Sequence, residues 1–79
     1  SPEDAAVAAE VRGLLAEAID ALPERQRVVI TLRDVQGLTS AEVSEVLEIS
    51  PENQRVLLHR ARAKVRAALE SYYRPAVQV

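Results

Sequence analysis

Apolar residues recur along this chain at three- and four-residue steps, the spacing that places them on one side of an α-helix. Val7, Val11, Leu14, Leu15, Ala18, Ile19 and Leu22 form the first such stripe. Ser1 is positioned to cap it, Pro2 suits the first helical position, and Glu3 with Asp4 meets the positive end of the helix dipole. Pro23 then opens a second helix, Glu24 to about Val35, whose apolar positions are Val28, Val29, Leu32 and Val35. Gly37 follows where a left-handed residue ends a helix.

The third segment opens with Thr39 and has Glu42 three residues on, the spacing of a capping box, while Leu38 and Val43 are spaced as a hydrophobic staple. This helix runs only to about Leu47, roughly two turns, so packing of Val43, Val46 and Leu47 must hold it. After a tight turn, Glu48-Ile49-Ser50, Ser50 caps and Pro51 begins a helix to about Tyr73, roughly 35 Å long. Pro75 should end it, and the tail Ala76 to Val79 should fray. The expectation is therefore an all-α, four-helix domain spanning residues 1–79, with helices near 3–21, 24–35, 40–47 and 51–73. Its core should include Val11, Leu14, Ile19, Leu32, Val43, Leu47, Ile49, Leu58, Ala61 and Val65.

A short capped helix, a three-residue turn with an apolar residue in its middle, and a long helix capped by Ser-Pro have the form of a helix-turn-helix, here about residues 39–63. In that motif the first helix aims its N-terminal amides at phosphates and the second lays its early turns in the major groove. An ordinary helical hairpin is the plain alternative. Advancing 100° per residue along the last helix puts Leu57, Leu58, Ala61, Val65, Ala68, Leu69 and Tyr72 on one side, with Gln54 at its margin. The opposite side of the first three turns presents Glu52, Arg55, Val56, His59, Arg60 and Ala63, and Arg62 with Arg66 extends a basic stripe beside Arg55. The candidate DNA-contacting residues are Thr39, Ser40, Ser50, Glu52, Asn53, Arg55, Val56, His59, Arg60 and Arg62. Arg55 and Arg60 can each fork onto guanine O6 and N7 or onto phosphate, and the sequence leaves both roles open. Val56 has either a thymine methyl or a neighbouring chain to meet.

Composition narrows the alternatives. The 79 residues include no Cys, Met, Trp or Phe and a single His, so neither a disulfide nor a thiolate or multi-histidine metal site is available, and no cofactor is implied. No nucleophile and base pair can be nominated, which argues against an enzyme. A net charge of −2 hides an asymmetry: residues 1–49 carry four Arg against ten acidic residues, while residues 50–79 carry five Arg and one Lys against two Glu. The basic end suits a polyanionic partner. No apolar run reaches the roughly 20 residues that span a bilayer, and no signal peptide is visible, so a cytoplasmic location is expected. The start at Ser1-Pro2 suggests part of a longer protein.

The runs Ala21-Leu22-Pro23-Glu24-Arg25-Gln26-Arg27, Leu32-Arg33-Asp34-Val35-Gln36-Gly37-Leu38, Ile49-Ser50 and Leu58-His59-Arg60-Ala61-Arg62-Ala63 closely resemble region 4 of bacterial RNA polymerase sigma factors, most of all the extracytoplasmic-function group. The resemblance implies recognition of the minus-35 promoter element, docking on the flap of the polymerase β subunit, and control by an anti-sigma factor able to hold the protein near the inner face of the membrane. The chain departs from the commoner family pattern at Glu48, where Gly is frequent, and at Val56 and Leu57, which replace polar and basic residues. Two other readings stand beside it: a response-regulator output domain, and a helical module that binds only protein.

Overall fold

The computed structural model describes residues 1–73 and contains, in order, α1 (Pro2–Asp20), α2 (Glu24–Ile30), a π-helical turn (Thr31–Val35), α3 (Ser40–Leu47) and α4 (Pro51–Tyr73). The predicted stop at Pro75 and the fraying of Ala76 to Val79 lie outside the described residues. Local chemistry explains most boundaries. The Asp4 amide donates to Ser1 Oγ at 3.3 Å, and the Asn53 amide donates to Ser50 Oγ at 3.0 Å. At α3 the Glu42 amide donates to Thr39 Oγ1 at 3.1 Å and the Thr39 amide donates to Glu42 Oε1 at 2.9 Å, which completes the capping box.

The second helix does not run as a plain α-helix to Val35. Its last turn widens: the Gln36 amide donates to the Thr31 carbonyl, five residues back, at 2.9 Å. Gly37, at φ +80°, then reverses the chain so that the Leu38 amide reaches the Leu32 carbonyl at 2.9 Å. The Arg33 guanidinium donates to the Leu38 carbonyl at 2.9 Å and bolts this corner shut. No hydrophobic period distinguishes such a turn from an α-helical one, because one inserted residue shifts the stripe only after the helix has ended.

The core lies where α2, α3 and α4 cross, and its buried apolar members are Leu22, Val29, Ile30, Val43, Leu58, Ala61 and Val65. Val43, Leu58, Ala61 and Val65 were expected there. Leu14, Ile19, Leu32, Leu47 and Ile49 are only half-buried, and Val11 is exposed. The physical reason is the breadth of the fold. Its Cα radius of gyration is 15.0 Å, against about 12 Å for a compact domain of this length, and its smallest dimension is 15 Å. A slab one layer deep cannot cover both sides of its helices, and α1 buries no residue fully. Val7 and Val11, in the N-terminal part of α1, are left to solvent. Val35, Val46, Ala68 and Tyr72, each assigned to an apolar face by periodicity, are exposed for the same reason. Tyr72 instead ties the far end of α4 to α1, its hydroxyl donating to Glu10 Oε1 at 2.8 Å; that contact raises the phenol pKa by placing it beside a carboxylate.

Candidate nucleic-acid interface

Between α3 and α4 the chain turns on Glu48, whose backbone is left-handed at φ 55° and ψ 45°. The Glu48 and Ile49 amides donate to the Glu45 and Ser44 carbonyls at 3.3 and 3.1 Å, closing the end of α3. Ile49 then packs against the core cluster and anchors the turn. A buried polar contact holds the two helices together: Gln54, 2% exposed, donates through Nε2 to Ser40 Oγ at 2.9 Å. Since α3 begins at Ser40 and Gln54 lies in the first turn of α4, this bond ties the two helix starts together.

Glu52, Arg55, Val56, His59 and Arg60 line one shallow, open concavity on α4. The rotation of the helix had put these five on a common side, and the fold leaves that side to solvent. Val56 is 40% exposed, so it is not recruited by the core. Thr39 and Ser50 are exposed and serve as caps, each with its oxygen accepting a backbone amide. Ser40 is half-buried and accepts from Gln54, and Asn53 is exposed in the first turn of α4. The Glu42 carboxyl is held below its ordinary range first by the Thr39 amide and then by the Thr39 hydroxyl.

Arg62 stands apart from the others. Its Nε donates to Asp34 Oδ2 at 2.8 Å and its Nη2 to Asp34 Oδ1 at 2.6 Å, a two-pronged ion pair between α4 and the π turn. The pair lowers the Asp34 pKa, chiefly through the Arg62 hydrogen bond, and raises that of Arg62. Asp34 carried no assigned role in the sequence, because a contact 28 residues long leaves no local signature. Gln26 and Ser44, both buried among the helices, were likewise unassigned, since polar residues on amphipathic helices ordinarily face water.

Further along α4, Leu15, Ile19, Ile30, Val35, Val65 and Leu69 line a mostly apolar trough whose rim includes Asp34, Arg62, Arg66 and Glu70. No group of His, Asp or Glu suited to a metal ion occurs among the described residues, and no helix there is long and apolar enough to cross a membrane.

A profile of the family described as "Sigma-70, region 4" matches residues 12–65. Over 68 residues the chain is 34% identical to the ECF RNA polymerase sigma factor SigW of Bacillus subtilis, covering 86% of this chain and 36% of that protein. It is 36% identical over 69 residues to the ECF RNA polymerase sigma factor ShbA of Streptomyces griseus, covering 87% and 36%. With the ECF RNA polymerase sigma-E factor of Escherichia coli it shares 31% identity over 65 residues, 82% of this chain and 34% of the relative. The chain thus spans about a third of the length of these relatives. No solved structure matches it.

Proposed function

The chain belongs to the sigma-70 region 4 family, and from that premise we propose that it is the promoter-recognising domain of an RNA polymerase sigma factor, reading the minus-35 element. The observation that carries this reading is the solvent-facing cluster of Glu52, Arg55, Val56, His59 and Arg60 on the first turns of a capped second helix. In duplex DNA the major groove admits such a helix, and Arg55 and Arg60 bring planar forks that match guanine O6 and N7 or a phosphate. Asn53 and His59 add polar donors to base edges or backbone. Glu52 offers its carboxylate to a cytosine amino group. Thr39, Ser40 and Ser50 keep hydroxyl hydrogens to donate to phosphate after their oxygens have accepted, as a hydroxyl can do both. Arg62 lies on the same basic line, but its guanidinium is paired with Asp34 rather than free for DNA.

The apolar trough beside Asp34 and Arg62 supports docking on polymerase through the β-subunit flap, or on an anti-sigma factor. Leu15 and Val35 on its wall are exposed enough to gain from being covered. An anti-sigma factor seated there would compete with polymerase. The whole chain, residues 1–79, acts in this reading as one cytoplasmic, non-enzymatic, cofactor-free domain.

The test is equilibrium binding to promoter and scrambled duplexes across a salt series, with polymerase core and the sigma protein that carries this chain. Arg60→Ala should weaken binding by about 1–3 kcal/mol with relaxed preference at one base pair if Arg60 reads a base. It should weaken all duplexes alike, with a salt slope shallower by about one, if Arg60 contacts phosphate. Duplex affinity and preference that ignore both Arg55→Ala and Arg60→Ala would move the function to protein binding alone.

A further inference from the structure

Among the described residues Arg62 is the one basic side chain of α4 that sits in an ion pair, and the form of that pair is informative. Asp34 takes Nε and Nη2, the two donors of one edge of the guanidinium, with both of its own oxygens. A fork used in this way is the same fork that would receive two oxygens of a phosphate, so carboxylate and phosphate compete for it. Arg62 lies seven residues beyond Arg55, which places it within about 20° of the same helix line and about 10 Å further along the axis. Base-edge contacts come from the N-terminal residues of a recognition helix, and its more C-terminal part can meet the flanking backbone.

Asp34 itself lies outside the helix-turn-helix, in the π turn that the sequence would extend as ordinary α-helix. The widened turn ends at the Gly37 reversal and the Arg33 to Leu38 bond, so Asp34 is presented from a braced corner. Both partners remain open to solvent, with side chains 46% and 36% exposed, so the pair is accessible to an incoming anion.

We propose that Asp34 holds Arg62 off the DNA backbone, so that a residue outside the DNA-reading motif sets how many phosphates the chain neutralises. This rests on the promoter-binding reading above. Arg62 is a phosphate contact in reserve, and removing the Asp34 charge releases it. Arg33 beside Asp34 is already committed to the Leu38 carbonyl, and Arg66 and Glu70 share the rim of the adjacent trough. A protein ligand whose cation takes Asp34 would release Arg62 in the same way.

The experiment measures the salt slope of duplex binding by the holoenzyme for the unsubstituted protein, Asp34→Asn, Arg62→Ala and the double variant, with thermal melts to establish that each folds. Asp34→Ala serves as a second neutral replacement. Arg62→Ala alone should leave the slope unchanged, because the Arg62 fork is already taken by Asp34. Asp34→Asn should steepen it by about 0.9, which is about 3.5-fold more affinity lost over a fourfold rise in salt. The double variant should return to the unsubstituted slope. A shallower slope in Arg62→Ala alone would show that DNA takes Arg62 regardless of Asp34 and would overturn the inference. So would a steepening that survives in the double variant, since it would reflect only the lost negative charge. Four equal slopes with normal duplex binding overturn this inference alone, whereas absence of salt-dependent duplex binding by the unsubstituted protein overturns the promoter reading with it.

Discussion

Replacing Glu48 by Gly should stabilise this domain, and the magnitude follows from one backbone angle. Of the two described residues with positive φ, Gly37 at +80° is free to adopt it, but Glu48 at +55° carries a Cβ. A left-handed conformation costs an L-residue about 1–2 kcal/mol through the clash of Cβ with the following carbonyl. Glycine removes that cost but has more conformational freedom to lose on folding, about 0.5–1 kcal/mol. The net gain is about 0.5–1 kcal/mol. With an unfolding entropy of about 2.1 cal/mol/K per residue over 79 residues, that raises the melting temperature by about 3–6 °C. Glu48 also places a carboxylate at the negative end of α3, so any neutral replacement relieves some unfavourable charge. The informative comparison is therefore Glu48→Gly against Glu48→Ala, which share the charge loss and differ in the Cβ. Circular-dichroism melts of the three proteins should rank Gly above Ala, with duplex affinity within about twofold because Glu48 is not on the face that Arg55 and Arg60 share. Ala equal to or above Gly would refute the strain argument.

Three further outcomes follow from individual contacts. Thr39→Ala removes the acceptor of the Glu42 amide and should cost about 1 kcal/mol, a loss that urea unfolding would resolve because a domain this small has little stability in reserve. Because the Asp34 pKa lies below its ordinary value of 3.8, its ion pair contributes fully above that pH and is lost as the pH falls through the lowered value. The stability advantage of the unsubstituted protein over Asp34→Asn, under about 1 kcal/mol for so exposed a pair, should therefore vanish in acid titration below about pH 4. Val56→Ser should leave the salt slope of duplex binding unchanged, as Val56 neutralises no phosphate, yet alter preference at a thymine-containing step. Unchanged preference would remove Val56 from the base-reading face.

What the sequence determined alone lies within the reach of one helical turn. The Ser1, Thr39 and Ser50 caps, the capping box to Glu42, the reversal at Gly37 and the starts of α3 and α4 each depend on residues no more than about four apart, so their chemistry is legible in order. The face shared by Glu52, Arg55, Val56, His59 and Arg60 was legible too, because a helix of this length turns by a constant angle per residue. Tertiary structure decided everything that needed a partner from elsewhere in the chain. Periodicity gives an apolar stripe its direction but not its cover, which is why Val11 and Val46 lie in solvent while Leu22 and Ile30 are buried. Gln54 reaches Ser40 across 14 residues and Arg62 reaches Asp34 across 28, distances at which only the crossing of the helices selects the pair. The division follows from the physics: hydrogen bonds within a turn are set by the chain's own geometry, whereas the partner of an exposed charge or a half-covered valine exists only once separate helices have packed.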